Sequence, residues 1–298
     1  MLPEPLGNQA FYRVSVLEAG FIQLPLAWYI QDADPRETRI VPSMVFCLQH
    51  SVSKHYIVFD LGLRKDTESY PPSIRSLIAK AMPVIVPRSV DESLMQSGVK
   101  PRDVKLVILS HLHFDHIGDA TSFTNATFVL GEGSDELLIN GYPTNSKSDF
   151  LKSSVPHERT RVLTREDFET SIGPFPRAHD LFGDGSLYVI DAAGHCKGHI
   201  NVLARTSSDG SWIYLAGDAA HDVRLLTGEA RVGTYIGPDG TRRSRHADLV
   251  QTEEHIRRIS RLLGISRVQV VIAHDWEWYT HNRNIFASPI PSHVKAKL

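Results

Sequence analysis

Short apolar runs bounded by polar or turn-forming residues are the main feature of the hydrophobic pattern along this chain. Runs of this length that are rich in β-branched and aromatic residues are typical of buried strands rather than helices. The pattern predicts that residues 12–17 and 20–24 form a pair of strands. Further strands are predicted at residues 43–48, 55–59, 104–109, 126–130, 187–190, 200–204, 212–216 and 268–272.

Helical periodicity is clear in three stretches between these strands. Residues 72–82 carry apolar side chains at helical spacing, and residues 91–97 are predicted to form a short helix that ends at Gly98. Residues 248–263 place their apolar side chains on one face and stop at Gly264. Strands dominate each half of the chain, with helices between and after them. The simplest arrangement is therefore an α/β fold of two sheets packed face to face with helices outside, a single four-layer domain over residues 1–298.

Two segments carry little regular pattern and are predicted to be loop-rich insertions, near residues 132–183 and 223–247. A long segment without secondary structure in a compact domain is usually either a functional lid or disordered. The first segment contains several aromatic residues, which favours an ordered lid.

The composition narrows the function mainly by exclusion. A formal net charge of -2 with 22% charged residues gives no support to a nucleic-acid interface, which needs a concentrated basic surface. No apolar run approaches the ~20 residues that span a bilayer. Two cysteines, Cys47 and Cys196, are too few for a disulfide framework.

Both ends of the chain bear on its location. The first residues lack the basic and apolar regions of a secretory signal, so we expect a cytoplasmic protein. The last three residues, Ala296, Lys297 and Leu298, resemble the Ser-Lys-Leu peroxisomal signal. A frayed basic tail is the alternative, and the signal would matter only in a eukaryote.

The most informative stretch follows the predicted strand at residues 104–109. His111, His113, Asp115 and His116 fall within six positions there. Imidazole and carboxylate groups are ligands that zinc takes in proteins. In extended backbone the first three side chains share a face, because side chains alternate with period two, and His116 points elsewhere. One turn can therefore serve two metal ions from two directions.

Three later residues repeat the same arrangement of strand, small residue and ligand. His195 and Asp218 each follow a strand and a glycine, and His274 follows the last strand directly after an alanine. Taken singly, each has an ordinary structural explanation, as a turn residue, a loop histidine or a strand-end histidine. The shared pattern indicates a common metal site.

The order of these seven residues resembles the metallo-β-lactamase fold superfamily over roughly residues 43–275, and residues 110–118 and 217–220 look most like its N-acyl-homoserine lactone lactonase branch. The resemblance implies a four-layer αβ/βα sandwich of two mixed β-sheets with a dinuclear metal site on one edge. It also implies the ligand sets, which are His111, His113 and His195 for one ion, Asp115, His116 and His274 for the other, and Asp218 as the bridge.

Two residues are candidates for catalysis. Asp115 is the candidate general acid, because a carboxylate that rotates away from a metal can deliver a proton. The lactonases carry a tyrosine three residues after the bridging aspartate, and here that position is His221. His221 is predicted to donate the same hydrogen bond, with a further metal ligand or a supporting histidine as alternatives. We expect His199 to support a ligand and Cys196 to be a packing residue.

The substrate pocket is predicted to involve the aromatic residues after the last ligand, Trp276, Trp278 and Tyr279. Aromatic side chains beside a metal site can stack on a planar or ring-shaped substrate. The alternative for Trp278 is that it covers the core.

The sequence therefore predicts a dinuclear-metal hydrolase, with zinc as the expected metal, that opens a lactone, γ-lactam or cyclic carbamate. A small molecule is the expected partner, without nucleic acid or membrane, and a homodimer is compatible with the sequence. A thioester hydrolase is the alternative. A di-iron redox protein is less favoured because it usually needs an attached flavin domain, and a metal-free binding module because all seven ligands are present.

Overall fold

A computed structural model describes residues 1–282 of the chain, and within that range it contains seventeen β-strands and six α-helices. The strands are β1 (Tyr12–Leu17), β2 (Phe21–Pro25), β3 (Thr38–Pro42), β4 (Val45–His50), β5 (Tyr56–Phe59), β6 (Val84–Ile85), β7 (Val104–Ile108), β8 (Thr127–Leu130), β9 (Thr160–Val162), β10 (Thr170–Ile172), β11 (Phe175–Asp180), β12 (Leu187–Asp191), β13 (Ile200–Arg205), β14 (Trp212–Leu215), β15 (Thr234–Ile236), β16 (Arg242–Ser244) and β17 (Val268–Val271). The helices are α1 (Pro72–Lys80), α2 (Val90–Gln96), α3 (Ser134–Ile139), α4 (Val223–Thr227), α5 (Leu249–Leu263) and α6 (Trp276–Asn282).

Two six-stranded sheets form the centre of the fold. The first has the order β1-β4-β5-β7-β8-β9 and the second the order β10-β11-β12-β13-β14-β17. Both are mixed, because β5, β7, β8 and β9 run parallel to one another in the first sheet and β14 pairs parallel with β17 in the second. The predicted pair of mixed sheets is confirmed. Two smaller sheets, β3-β2-β6 and β15-β16, complete the strands.

The side chains of the central strands alternate between two apolar layers, as the period-two geometry of a strand requires. In β5, Ile57 packs between the two sheets, whereas Val58 packs on the helix side of the first sheet. In β13, Val202 joins Ile57 between the sheets, whereas Leu203 packs with Ile259 of α5 on the other side of the second sheet. Each such fully buried side chain contributes about 1.5–3 kcal/mol. Three apolar clusters thus separate four layers, as predicted.

The structure corrects two parts of the predicted strand pattern. The predicted pairing of residues 12–17 with 20–24 is wrong, because β1 pairs with β4 and β2 pairs with β3 and β6. The loop-rich segment 132–183 also contains α3 and three strands that were not predicted, of which β9 extends the first sheet and β10 and β11 extend the second. β9 and β10 are three residues long and partly exposed, so they give no periodic signal.

None of the helices found within residues 1–282 has the length and apolar character needed to cross a bilayer. The C-terminal tripeptide 296–298 lies outside the described residues. The location of the protein, and the extent of a single domain over residues 1–298, stay predictions.

Candidate metal centre

The candidate site lies where four strand ends meet at one edge of the sandwich. The loop after β7 comes from the first sheet, and the loops after β12, β14 and β17 come from the second. Backbone hydrogen bonds join the two sheets there, from Ile200 N to Ser110 O at 2.8 Å and from Met44 N to Ala273 O at 3.1 Å. This edge brings all seven predicted ligands together, although residues far apart in the sequence supply them.

The first cluster contains the three histidines predicted to hold one ion. His113 Nδ1 lies 2.9 Å from His111 Nε2 and 3.0 Å from His195 Nε2. Around a tetrahedral ion with bonds of about 2.0–2.1 Å, donor atoms stand roughly 3.3 Å apart, so three nitrogens at these distances fit one ion. The thiol of Cys196 belongs to the same group, but burial raises its pKa, which keeps it in the neutral form.

The second cluster contains Asp115, His116 and His274. Asp115 Oδ2 lies 3.5 Å from His274 Nε2 and 3.8 Å from His116 Nε2. All three side chains are buried. One carboxylate and two imidazoles converging from two loops make a second set of donors of the kind that divalent zinc takes.

Asp218 stands between the two clusters. Its Oδ1 lies 3.2 Å from both His116 Nε2 and His274 Nε2, and its Oδ2 lies 3.5 Å from His195 Nε2 and 3.7 Å from His111 Nε2. Burial opposes a charge on this carboxyl, but the histidines around it, His116 first, outweigh that effect and hold its pKa well below the ordinary value. Asp218 is therefore an ionised carboxylate with one oxygen facing each cluster.

The unpartnered atoms of the site fit a pair of cations. His116 Nε2 and Asp218 Oδ1 are buried and lie 3.2 Å apart, but their geometry does not make a hydrogen bond. Ligation of an ion would satisfy both atoms. Burial, and the histidines nearby, hold the pKa of His111 and of His195 well below the ordinary value, so both are in the neutral form that binds metal.

Asp60 and Ser110 orient two of the histidines, and the sequence analysis did not assign them to the site. Asp60 accepts hydrogen bonds from the Ser110 amide at 2.6 Å and the Ser110 hydroxyl at 2.8 Å, and His116 Nδ1 donates to it at 2.8 Å. Ser110 Oγ in turn accepts from His111 Nδ1 at 2.9 Å. A buried aspartate directly after an apolar strand was the available signal, because such a carboxylate needs partners.

His199 supports the loop that carries Asp218, as expected. Its Nδ1 donates to the carbonyl of Ala192 at 3.0 Å, so its Nε2 accepts from the Asp218 amide at 3.1 Å. Gly217 has a positive φ of 48°, and a Cβ there would lie 2.9 Å from His199 Nε2. Only glycine fits this turn without displacing the imidazole. His274 is held in a similar way, since its Nδ1 donates to Pro42 O at 2.8 Å.

His221 lies on the side of Asp218 that faces the first cluster. Its Nε2 is 3.1 Å from Asp218 Oδ2, and its ring stacks on Tyr29 with centroids 4.1 Å apart. Tyr29 belongs to the turn between β2 and β3 and was not predicted to be part of the site. The imidazole is therefore held between a carboxylate and an aromatic ring at the edge of the metal centre.

A cavity of about 430 Å³ opens beside His221 and His274. Trp276 lines it and remains 44% exposed. The prediction for the other two pocket residues is corrected. Tyr279 is buried between the sheets, and Trp278 packs against that same core. The remaining lining was not predicted; it includes Leu24, Leu26, Tyr29, Arg39, Val41, Asp222, Arg224 and Ile272.

The loop-rich segment before β9 also reaches the site. The ring of Phe150 stacks on that of His113, with centroids 5.8 Å apart and an angle of 11° between the planes. This contact agrees with the expectation that part of residues 132–183 is an ordered cover over the metal centre.

Sequence comparisons place the chain among known proteins. A family profile described as the metallo-beta-lactamase superfamily matches residues 48–258. The chain is 35% identical over 234 residues to the cytochrome P450 monooxygenase mpaDE of Penicillium roqueforti, which covers 76% of this chain and 27% of that protein. It is 36% identical over 183 residues to the gamma-lactamase MBL2 of Gibberella moniliformis, which covers 60% of this chain and 74% of that protein. The chain thus spans about a quarter of the first relative.

A comparison of structures gives the same fold. The chain superimposes with a TM-score of 0.70 on the crystal structure of a variant of AiiA from B. thuringiensis with N-decanoyl-L-homoserine bound at the active site. The two share 16% identity, and the match covers 92% of this chain and 96% of the other. This likeness establishes the fold, and the predicted sandwich of two mixed sheets is confirmed.

Proposed function

The chain belongs to the metallo-beta-lactamase superfamily, as its sequence predicted, and on that premise we propose that it is a metal-dependent hydrolase that opens a lactone, γ-lactam or cyclic carbamate. The observation that carries the proposal is the position of Asp218, with one carboxylate oxygen towards each histidine cluster, beside a cavity of small-molecule size. The names of its relatives, a gamma-lactamase and a protein with an acyl-homoserine bound, support the same chemistry.

The two clusters would hold one divalent ion each, with zinc as the metal that suits their donors. Asp218 would supply one carboxylate oxygen to each ion. When bound, such a pair lowers the pKa of a shared water so that hydroxide is available near neutral pH. The first ion is assigned to His111, His113 and His195, and the second to Asp115, His116 and His274.

Asp115 is proposed as the general acid. Its carboxyl belongs to the second cluster and is buried. Ring opening adds water across the bond from the carbonyl carbon to oxygen in a lactone, or to nitrogen in a lactam: the hydroxide joins the carbon, and the departing atom takes up the remaining proton of that water. A side chain on the metal-facing edge of the site can deliver that proton directly.

His221 is proposed to act on the substrate from the opposite side. Its Nε2 donates to Asp218 Oδ2 at 3.1 Å, and the ring also lines the cavity. Stacking on Tyr29 fixes the plane of the imidazole, so the direction of its donor is set before substrate enters. The residue thereby holds the bridging carboxylate, and the same N–H is proposed to be shared with the carbonyl oxygen of a ring bound in the cavity.

The cavity indicates which molecules can enter. Apolar side chains line it together with Arg39 and Arg224, which are both paired with Asp222. The carboxylates of Glu229, Asp275 and Glu277 also line it. A compact, largely apolar ring therefore fits this lining better than an anionic polymer does. The substrate is proposed to be such a small molecule, with its ring plane against Trp276.

A panel of substrates tests the proposal. The zinc-loaded protein is assayed at one pH against lactones, γ-lactams, cyclic carbamates and acyclic thioesters of similar size. We expect ring opening, with an activity ranking that favours cyclic substrates. Hydrolysis restricted to thioesters would replace the proposal with the alternative activity. A coloured, iron-containing protein that turns over none of these substrates would contradict it altogether.

A further inference from the structure

His246 is a buried histidine outside the ligand set, and it faces the back of one ligand. Its Nδ1 lies 3.1 Å from Nδ1 of His195. His246 is 4% exposed and belongs to the loop between β16 and α5. We infer that His246 is a positioning residue, which holds His195 in the tautomer and orientation that bind a metal ion through Nε2. The inference rests on the proposed metal centre.

The tautomers follow from the positions of the nitrogens. His195 Nε2 faces the other donors of the first cluster, His113 Nδ1 at 3.0 Å and Asp218 Oδ2 at 3.5 Å. An imidazole that binds a metal through Nε2 carries its proton on Nδ1, and such a ligand almost always donates that proton to a fixed partner. His246 Nδ1 stands where that partner is needed. It must accept, so its own proton is on Nε2.

The loop that carries His246 is tied directly to the loop that carries His195. Ala247 N donates to His195 O at 2.8 Å, and Asp248 N donates to Gly194 O at 3.0 Å. The guanidinium of Arg245 lies 3.7 Å from the centroid of the Trp28 ring, which gives the same loop a second attachment. The distance between the two imidazoles is therefore set by the backbone on both sides.

A third metal ion is the competing explanation for this cluster. His195, His221 and His246 place nitrogens within 4.8 Å of one another, and His221 Nδ1 and His246 Nε2 have no hydrogen-bond partner. A third ion bound to His195 Nδ1 would require that imidazole to lose both protons, because its Nε2 already serves the first cluster. A hydrogen bond from His195 Nδ1 to His246 Nδ1 needs no such ionisation. It leaves His246 Nε2 as a donor and His221 Nδ1 as an acceptor, and a water can bridge these two atoms.

Two matched polar variants test the inference. In H246N an acceptor oxygen is attached to Cγ, as Nδ1 is in histidine, whereas in H246Q the acceptor lies one bond further out. Zinc content and zinc affinity are measured on the full chain without substrate, by competition with a chelator at one pH. We expect two zinc ions in the wild type. H246Q weakens one of them by about 10–100-fold and leaves the other unchanged, and H246N restores most of the loss.

Three results would overturn the inference. One is an H246Q chain that binds both ions as tightly as the wild type does. Another is an equal loss of zinc affinity in H246N and H246Q while the melting temperatures of the metal-free chains stay unchanged. The position of the acceptor atom would then be irrelevant. The third is a wild type with three zinc ions of which both variants lose one. A protein that shows the expected affinities yet opens no ring on the substrate panel would refute the proposed function and leave this inference standing.

Discussion

At the scale of single residues, three of the predicted metal ligands are histidines whose second ring nitrogen has a fixed hydrogen-bond partner. Asp60 holds His116, Pro42 O holds His274, and His246 holds His195. The metal-facing histidines and aspartates were predicted from the sequence because they are clustered and follow apolar strands. Their supports were not predicted, because a lone Asp60 or His246 carries no spacing signal and becomes meaningful only when folding brings it to a ligand.

Asp60 offers a prediction that complements the one for His246. The D60N variant keeps the size of the side chain but replaces one of the two oxygens that accept from Ser110 and His116 with an amide nitrogen that donates. We expect affinity for the second ion to fall by about 10–100-fold, while the ion held by His195 is retained. Chelator competition monitors both ions, and loss of the ion at His195 instead would contradict the assignment of the two ligand sets.

Asp115 is predicted to matter more for lactams than for lactones. An asparagine there has no proton to deliver, and a departing amine nitrogen needs that proton far more than a departing oxygen does. We expect D115N to lower kcat/KM for a γ-lactam by about 10²–10⁴-fold, and for a phenolic lactone by less. Zinc content is measured in parallel, and an equal loss on both substrates in a fully loaded variant would argue against a proton-donor role.

At the scale of elements, the strands that carry ligands were the ones that the sequence predicted well. β12 and β14 are buried almost throughout, and β7 and β17 each carry one polar residue within an apolar run, so their ends could be located. β3 was missed because three of its five residues are exposed and it follows a charged loop. For the same reason Arg39, which lies in β3, was not predicted to line the cavity. Nothing in the hydrophobic pattern placed this charged segment beside the site.

Helix α6 presents different faces to the cavity and to the core, which gives a paired prediction. Trp276 lines the cavity, whereas Trp278 packs against Phe46 with ring centroids 5.7 Å apart. We expect W276A to raise KM with little change in kcat, because it removes binding that substrate and transition state share. We expect W278A to lower the melting temperature and leave KM unchanged. Steady-state kinetics and thermal unfolding on both variants check this, and a reversed pattern would move the substrate to the other face of α6.

At the scale of the whole molecule, the site exists only because two sheets meet at one edge. The layer arrangement was predictable, since apolar runs of strand length with few helices leave little choice but two packed sheets. The pairing of β2 with β3 was not predictable, because three of the five residues of β3 are exposed. The crossing from β9 to β10 was not predictable either, because each of these strands has only three residues. The location of the seven ligands at a single edge follows from the fold and not from any one of its elements.

Proton release on metal binding is a property of this assembled site. Burial opposes charge on His116 and on His274, but Asp218 and the other carboxylates nearby outweigh it and raise the pKa of both above the ordinary value. In the metal-free protein both histidines therefore keep their protons to a higher pH than an ordinary histidine does, and the stability that these charged pairs contribute is lost as pH rises through the raised pKa values. Zinc must displace those protons, so its affinity rises with pH. Calorimetry of zinc binding in buffers of different ionisation enthalpy should show net proton release from the chain; zinc binding without proton release would contradict these pKa directions.

The central claim is that two cations joined by Asp218 perform the ring opening. The most direct measurement counts zinc per chain and follows hydrolysis of one lactone and one γ-lactam before chelation, after chelation and after zinc is restored. We predict two zinc ions per chain, with activity lost on removal and recovered on return of the metal. Turnover that persists in chain freed of metal would contradict the claim.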